Sequence, residues 1–109
     1  MTKVVIRQSP WRVEIRLKGH AGYNPGNDIV CSAISNTCYM LLNFLLQEDP
    51  RTVESFKDDP GDFRLDINPL VSKDEKDIKT AIKMFRIGID QIAMNYPKHC
   101  RLEVKNDAF

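Results

Sequence analysis

The chain has 109 residues, enough for one hydrophobic core of ordinary size and too few for two, so residues 1–109 are expected to form a single domain. Charged residues make up 28% of it and nearly cancel to a formal net charge of +1, which leaves no global field to draw in nucleic acid or an anionic membrane surface; neither is an expected partner. No uninterrupted apolar run reaches the roughly 18 residues of a membrane span, and the opening MTKVVIRQSPWRVEIRLKG alternates apolar with charged residues where a signal peptide has a continuous apolar core, which points to a cytoplasmic protein.

In chain order, KVVIR and WRVEIRLKG flank Gln8-Ser9-Pro10 as a first hairpin. In its second arm Trp11, Val13, Ile15 and Leu17 alternate with Arg12, Glu14, Arg16 and Lys18, the period-two pattern of a strand with one buried and one wet face. A loop from Gly19 to Asn27 leads to DIVCSAISNTCYMLLNFLLQ, a helix opening at the favoured cap residue Asp28 and ending near Glu48-Asp49-Pro50. Val30, Ile34, Leu41 and Leu45 form one stripe and Met40 and Phe44 lie round the side, so this helix is expected to be covered on more than one face.

RTVESFK and DFRLDI follow as a second hairpin, with Pro60 and Gly61 suited to the two central positions of a type II turn. Ser72 and Glu75 have capping-box spacing for a second helix, whose apolar positions run from Ile78 to Tyr96 before Pro97 stops it. Gly88 in its middle costs about 1 kcal/mol relative to Ala, a sign of close approach to another backbone, the first helix being the candidate. CRLEVK alternates as a last strand. The element order ββαββαβ is most economically packed as an α+β two-layer sandwich, a largely antiparallel sheet with both helices on one face.

The cysteines Cys31, Cys38 and Cys100 are odd in number and without paired spacing, which argues for reduced thiols. Cys31 and Cys38, seven residues apart on a helix, are separated by about 10.5 Å along its axis, beyond disulfide reach. Cys31 lies in the first helical turn, where unpaired backbone N–H groups and the positive end of the helix dipole favour a thiolate. Asp28 opposes this as a nearby carboxylate, and His20 is the one cationic candidate close in sequence. A glycine-bearing loop that folds back brings the His20 imidazole to Cys31, the arrangement for an imidazolium-thiolate pair attacking a carbonyl. The N–H groups of the helix start are then candidates to receive the oxyanion, and Ser35, one turn on, faces the same side as Cys31.

Each of these residues also has an ordinary reading. A cysteine in an apolar helix is most often a packing residue, and Cys38 and Cys100 keep that reading. Asp28 serves as a cap in either case, Ser35 can simply bond the carbonyl four residues back, and His99 is given no role. GHAGYNPGND before a helix could cradle a phosphate, but it lacks the Gly-Lys-Ser/Thr of a P-loop. A metal site from His20, Cys31, Cys38 and His99 has none of the usual ligand spacings, so no metal and no cofactor are expected.

The segment GHAGYNPGNDIVCSAIS resembles the signature of the Prp family of ribosomal-processing cysteine proteases: Gly-His-Ala, a glycine-containing loop, then Asp-Ile/Val-Val-Cys and a serine four residues on. MNYPKHCRLEV resembles the family's Tyr-Pro before a final strand. The resemblance implies a homodimeric cysteine endopeptidase with His20 as base and Cys31 as nucleophile, supported by Ser35 and Asp28, under a loop holding Gly22 and Gly26. It implies as substrate the N-terminal extension of the large-subunit ribosomal protein L-twenty-seven, cut after an aromatic residue and before a small one. Two alternatives stay open: a non-catalytic module gripping a ribosomal or phage precursor peptide, and a protease acting on a phage structural protein. The chain departs from the family pattern in a loop about one residue shorter, stiffened by Pro25, and in Ser32 where alanine is usual.

Overall fold

A computed structural model describes residues 1–109. Its strands and long helices are β1 (Thr2–Ser9), β2 (Arg12–Lys18), α1 (Ile29–Glu48), β3 (Val53–Asp59), β4 (Asp62–Ile67), α2 (Glu75–Asn95) and β5 (Cys100–Asn106), with single 3₁₀ turns at Pro50–Thr52 and Pro69–Val71. The order is the ββαββαβ expected. The five strands form one sheet in the spatial order β3-β4-β2-β1-β5. Neighbours are antiparallel except β1 and β5, which run parallel with Thr2 opposite Cys100 and Gln8 opposite Asn106. That mixture follows from α2, which carries the chain back across the sheet so that β5 joins the open edge of β1 in the same direction.

Strand alternation sends Ile6, Ile15 and Leu65 to the helix side, where they are fully buried with Leu45 of α1 and Ile89 of α2. Each such side chain contributes roughly 1.5–3 kcal/mol relative to exposure. On the opposite face charged residues replace apolar ones. Glu14, only 6% exposed, accepts a hydrogen bond from Arg64 at 3.1 Å and lies 3.5 Å from Arg7. The two helices approach closely where anticipated: a Cβ added to Gly88 would lie 3.2 Å from Thr37 Cγ2.

Three expectations are revised. Trp11 is not on the buried strand face but in the hairpin turn, 50% exposed, because the register pairs Ser9 with Arg12 and leaves Pro10 and Trp11 as the connecting residues. The second helix is not capped by Ser72: it starts at Glu75 behind Asp74, and the Ser72 hydroxyl accepts from the Asp74 N–H at 3.0 Å, closing a turn ahead of the helix instead. The chain does not cover α1 all round, since Met40 is 61% exposed. By length and composition Ile29–Glu48 is apolar enough to cross a membrane, but Val30, Ile34, Cys38, Leu41, Leu42 and Leu45 are buried within this fold.

Candidate active site

The site is built on the segment that leaves β2. Gly19 adopts a left-handed φ of +91°, and a side chain there would collide with the Met1 carbonyl, so only glycine fits. Its N–H donates to the Gly61 carbonyl at 2.9 Å and its carbonyl accepts from the Thr2 hydroxyl at 3.4 Å. Two residues on, Ala21 is buried; its N–H points at Cys31 Sγ, 3.4 Å away, and its carbonyl is 2.9 Å from His99 Nδ1. His20 is thereby held between two anchored neighbours while its own side chain stays exposed. The imidazole lies over Gly61, the third residue of the β3–β4 turn, whose φ of +70° suits the type II geometry expected.

Asp28 organises the other side. Its Oδ1 accepts from the N–H groups of Val30 and Cys31, both at 2.9 Å, capping α1 as its residue type suggests. Its Oδ2 accepts from Tyr23 at 2.8 Å and Asn24 at 3.2 Å, which laces the loop to the helix start. Partial burial of this carboxyl works to raise its pKa, but the four N–H donors, from Cys31, Asn24, Tyr23 and Val30, outweigh it and hold the group below the usual carboxylate range. Gly22 and Gly26 allow the loop its turns with φ of +66° and +89°. The Tyr23 ring packs edge-on against Tyr96 and His99, with centroids 5.3 Å apart in both pairs.

His20, Cys31 and Ser35 line one cavity of about 490 Å³ with Gly61, Tyr39 and Asp58. The two members of the expected pair therefore face a common space. No hydrogen bond joins them; the bond that Cys31 Sγ does make is from Ala21 N–H. Cys38 closes the cavity from within. Burial first, then the charges of Asp58 and Cys100, push its thiol up to about 12, so it stays protonated and inert. The Tyr39 hydroxyl donates to Asp58 Oδ2, and that hydrogen bond, with lesser effects of burial and charge, raises the phenol pKa. Nowhere do three or more His, Cys, Asp or Glu side chains converge as a metal site requires.

One expectation about the site fails. Within the first turn of α1 the N–H groups of Val30, Cys31 and Ser32 are not free for an oxyanion, because Val30 and Cys31 donate to the Asp28 side chain and Ser32 N–H donates to the Asp28 carbonyl at 3.0 Å. The same cap that starts the helix consumes the donors. Gly61, Tyr39, Asp58 and His99 were not singled out as site residues from sequence. From sequence Gly61 signals only a turn, and His99 carries no local signal: it reaches Ala21 through the pairing of β5 with β1.

A model describing a family of cysteine proteases matches residues 1–101 of the chain. That family is the cysteine protease Prp, and the chain belongs to it. Solved structures share its fold. The essential ribosomal processing protease Prp from S. aureus, in complex with a covalently linked product peptide, is 22% identical with a TM-score of 0.79, the match covering 96% of this chain and all of that one. The same S. aureus protease with a substrate peptide is 20% identical at a TM-score of 0.72, over 96% of this chain and 100% of that one. A protein from Streptococcus mutans is 24% identical at 0.74, over 98% of this chain and 96% of its own. No curated protein matches the chain significantly.

Proposed function

We propose that this cysteine protease removes the N-terminal extension of the large-subunit ribosomal protein L-twenty-seven, cutting after an aromatic residue, with Cys31 as nucleophile and His20 as general base. The observation that carries the reading is the joint placement of Cys31, at the start of α1 with the Ala21 N–H on its sulfur, and His20 across one peptide-sized cavity. The Ala21 N–H fixes the sulfur at the wall of the cavity, and in this reading the pair tightens when substrate fills the space between. The S. aureus ribosomal processing protease of the same fold, solved with a product peptide and with a substrate peptide, supports a ribosomal precursor peptide as the class of substrate.

In this mechanism His20 takes the Cys31 proton, and Sγ attacks the scissile carbonyl carbon to form a tetrahedral oxyanion. The Ser35 hydroxyl, one helical turn from Cys31 and exposed in the cavity, is the side-chain donor available to that oxygen. As the carbon–nitrogen bond breaks, the His20 imidazolium protonates the leaving amine. Water then adds to the thioester, giving its proton to His20, and the sulfur leaves to free the acid product. Asp28 acts through the loop and the helix cap, not on substrate.

A cytoplasmic homodimer completes the proposal. The apolar groove between α1 and α2, about 380 Å³ and edged by Met40 and Met84, is surface that a second copy could bury. The decisive experiment is cleavage of a synthetic extended L-twenty-seven peptide followed by mass spectrometry. The wild type is expected to cut after the aromatic residue, and Cys31→Ala and His20→Ala to lose cleavage. Full cleavage by the Cys31→Ala protein refutes the dyad, and no cleavage of this peptide by an active wild type refutes the substrate and favours a different precursor.

A further inference from the structure

We infer that His99 is a positioning residue for the nucleophile, acting through the backbone of Ala21. The inference rests on the reading of Cys31 as the reactive thiol. His99 Nδ1 lies 2.9 Å from the Ala21 carbonyl oxygen, and since a carbonyl only accepts, the ring donates through Nδ1–H. The N–H of the same residue meets Cys31 Sγ at 3.4 Å. Ala21 is thus fixed by its oxygen on one side and presents its hydrogen to the sulfur on the other.

His99 is itself well placed to hold this position. Its N–H donates to the Tyr96 carbonyl at 2.9 Å, and its carbonyl accepts from Thr2 N–H at 2.9 Å, tying it to both the end of α2 and the start of β1. Its ring is backed edge-on by Tyr23, which also meets Tyr96 edge-on. Without the Nδ1 donor, the buried Ala21 carbonyl loses its partner, and the residue is free to shift about its Cα and carry its N–H, on the preceding peptide, away from Cys31. The loop between His20 and Cys31 would still be laced to Asp28, so the loss should fall on the sulfur and not on the fold. His20 also borders Ala21, which makes the orientation of both members of the pair depend on one distant side chain.

Two variants separate the donor from the ring. His99→Phe keeps an aromatic edge for Tyr23 and removes the donor; His99→Asn keeps a donor at the same branch point and removes the ring. Cleavage of the extended peptide is measured alongside the rate at which iodoacetamide alkylates Cys31, with circular dichroism melting to establish folding. For His99→Phe, kcat and the alkylation rate are expected to fall roughly tenfold, a smaller loss than removing a direct oxyanion donor, with KM within about twofold. For His99→Asn both rates should stay within about threefold of wild type. Wild-type kcat and alkylation in His99→Phe overturn the inference, as do equal losses in both variants. If the wild type does not cut the peptide, the substrate assignment fails separately, and the alkylation rates still decide the role of His99.

Discussion

Gly61→Ala tests whether the position of His20 in the structure is the working one. Gly61 has φ +70°, where an L side chain costs about 1–2 kcal/mol, so the variant should melt roughly 4–8 °C lower per kcal/mol lost. The new methyl would also stand 2.8 Å from His20 Nε2. Ordinary contact begins near 3.5 Å, so the ring must move by about 0.7 Å. Because the imidazole is exposed it can yield, and the contact should be relieved by displacement of the ring and not by further unfolding. Misplacement on the scale of 1 Å costs up to about 100-fold in turnover, so kcat should fall between about tenfold and 100-fold with KM little changed. Gly26→Ala is the control, since φ there is +89° and nothing lies within 4 Å of the added carbon. The assay pairs thermal melts with steady-state cleavage of the extended peptide. If Gly61→Ala and Gly26→Ala lose comparable stability and Gly61→Ala keeps the kcat of its control, His20 does not operate from over Gly61.

Two further outcomes follow from the same geometry. In the native protein one thiol, Cys31, should react with iodoacetamide at pH 8 within minutes, while Cys38, whose thiol is pushed up to about 12, and the buried Cys100 should react only after unfolding; mass spectrometry of the labelled peptides checks this, and early labelling of Cys38 contradicts its placement. Asp28→Asn keeps one acceptor oxygen and replaces the other with a donor, so the amides of Val30 and Cys31 should remain protected from hydrogen exchange while those of Tyr23 and Asn24 lose protection. Because the folded Asp28 pKa is depressed, its hold on the loop is fully present above the ordinary carboxylate range and lost as pH falls through the lowered value. Wild-type Tyr23 and Asn24 amides should therefore stay slow to exchange until pH drops below that range, and equal protection in wild type and variant would show that the loop does not depend on this carboxylate.

Much of the fold was legible because it is written in local patterns. The alternation of Val13, Ile15 and Leu17 predicts β2 and its buried face, Asp28 marks the start of α1, and Pro60-Gly61 marks the turn that later proves to underlie His20. Gly88 even indicates where the helices touch. Local pattern misleads where two local rules compete. Trp11 continues an alternation but follows a proline that sets the turn, and Ser72 has cap spacing but closes a turn two residues early. The candidate pair was legible because both residues flank one loop. His99 and Asp58 were not, since their approach depends on strand order: β5 beside β1 brings residue 99 to residue 21, and β4 beside β2 brings the β3–β4 turn under residue 20. The availability of the first-turn amides was also beyond reach, because it depends on which oxygen of Asp28 takes which hydrogen.

The parallel pairing of β1 with β5 has a consequence for when the enzyme becomes active. Thr2 donates to the His99 carbonyl, and His99 in turn holds Ala21, so the hairpin carrying His20 and the helix carrying Cys31 can both form before the contact that aligns them exists. A pairing so distant in sequence pays its loop-closure entropy before it gains contacts, so it is expected to follow the local hairpins and helices. A chain still emerging from the ribosome therefore lacks the support that His99 gives Ala21, and through it Cys31, until residues 99–106 have docked. With the proposed pair as the working one, proteolytic competence would arrive as a final step, separated in time from the appearance of the His20 and Cys31 side chains.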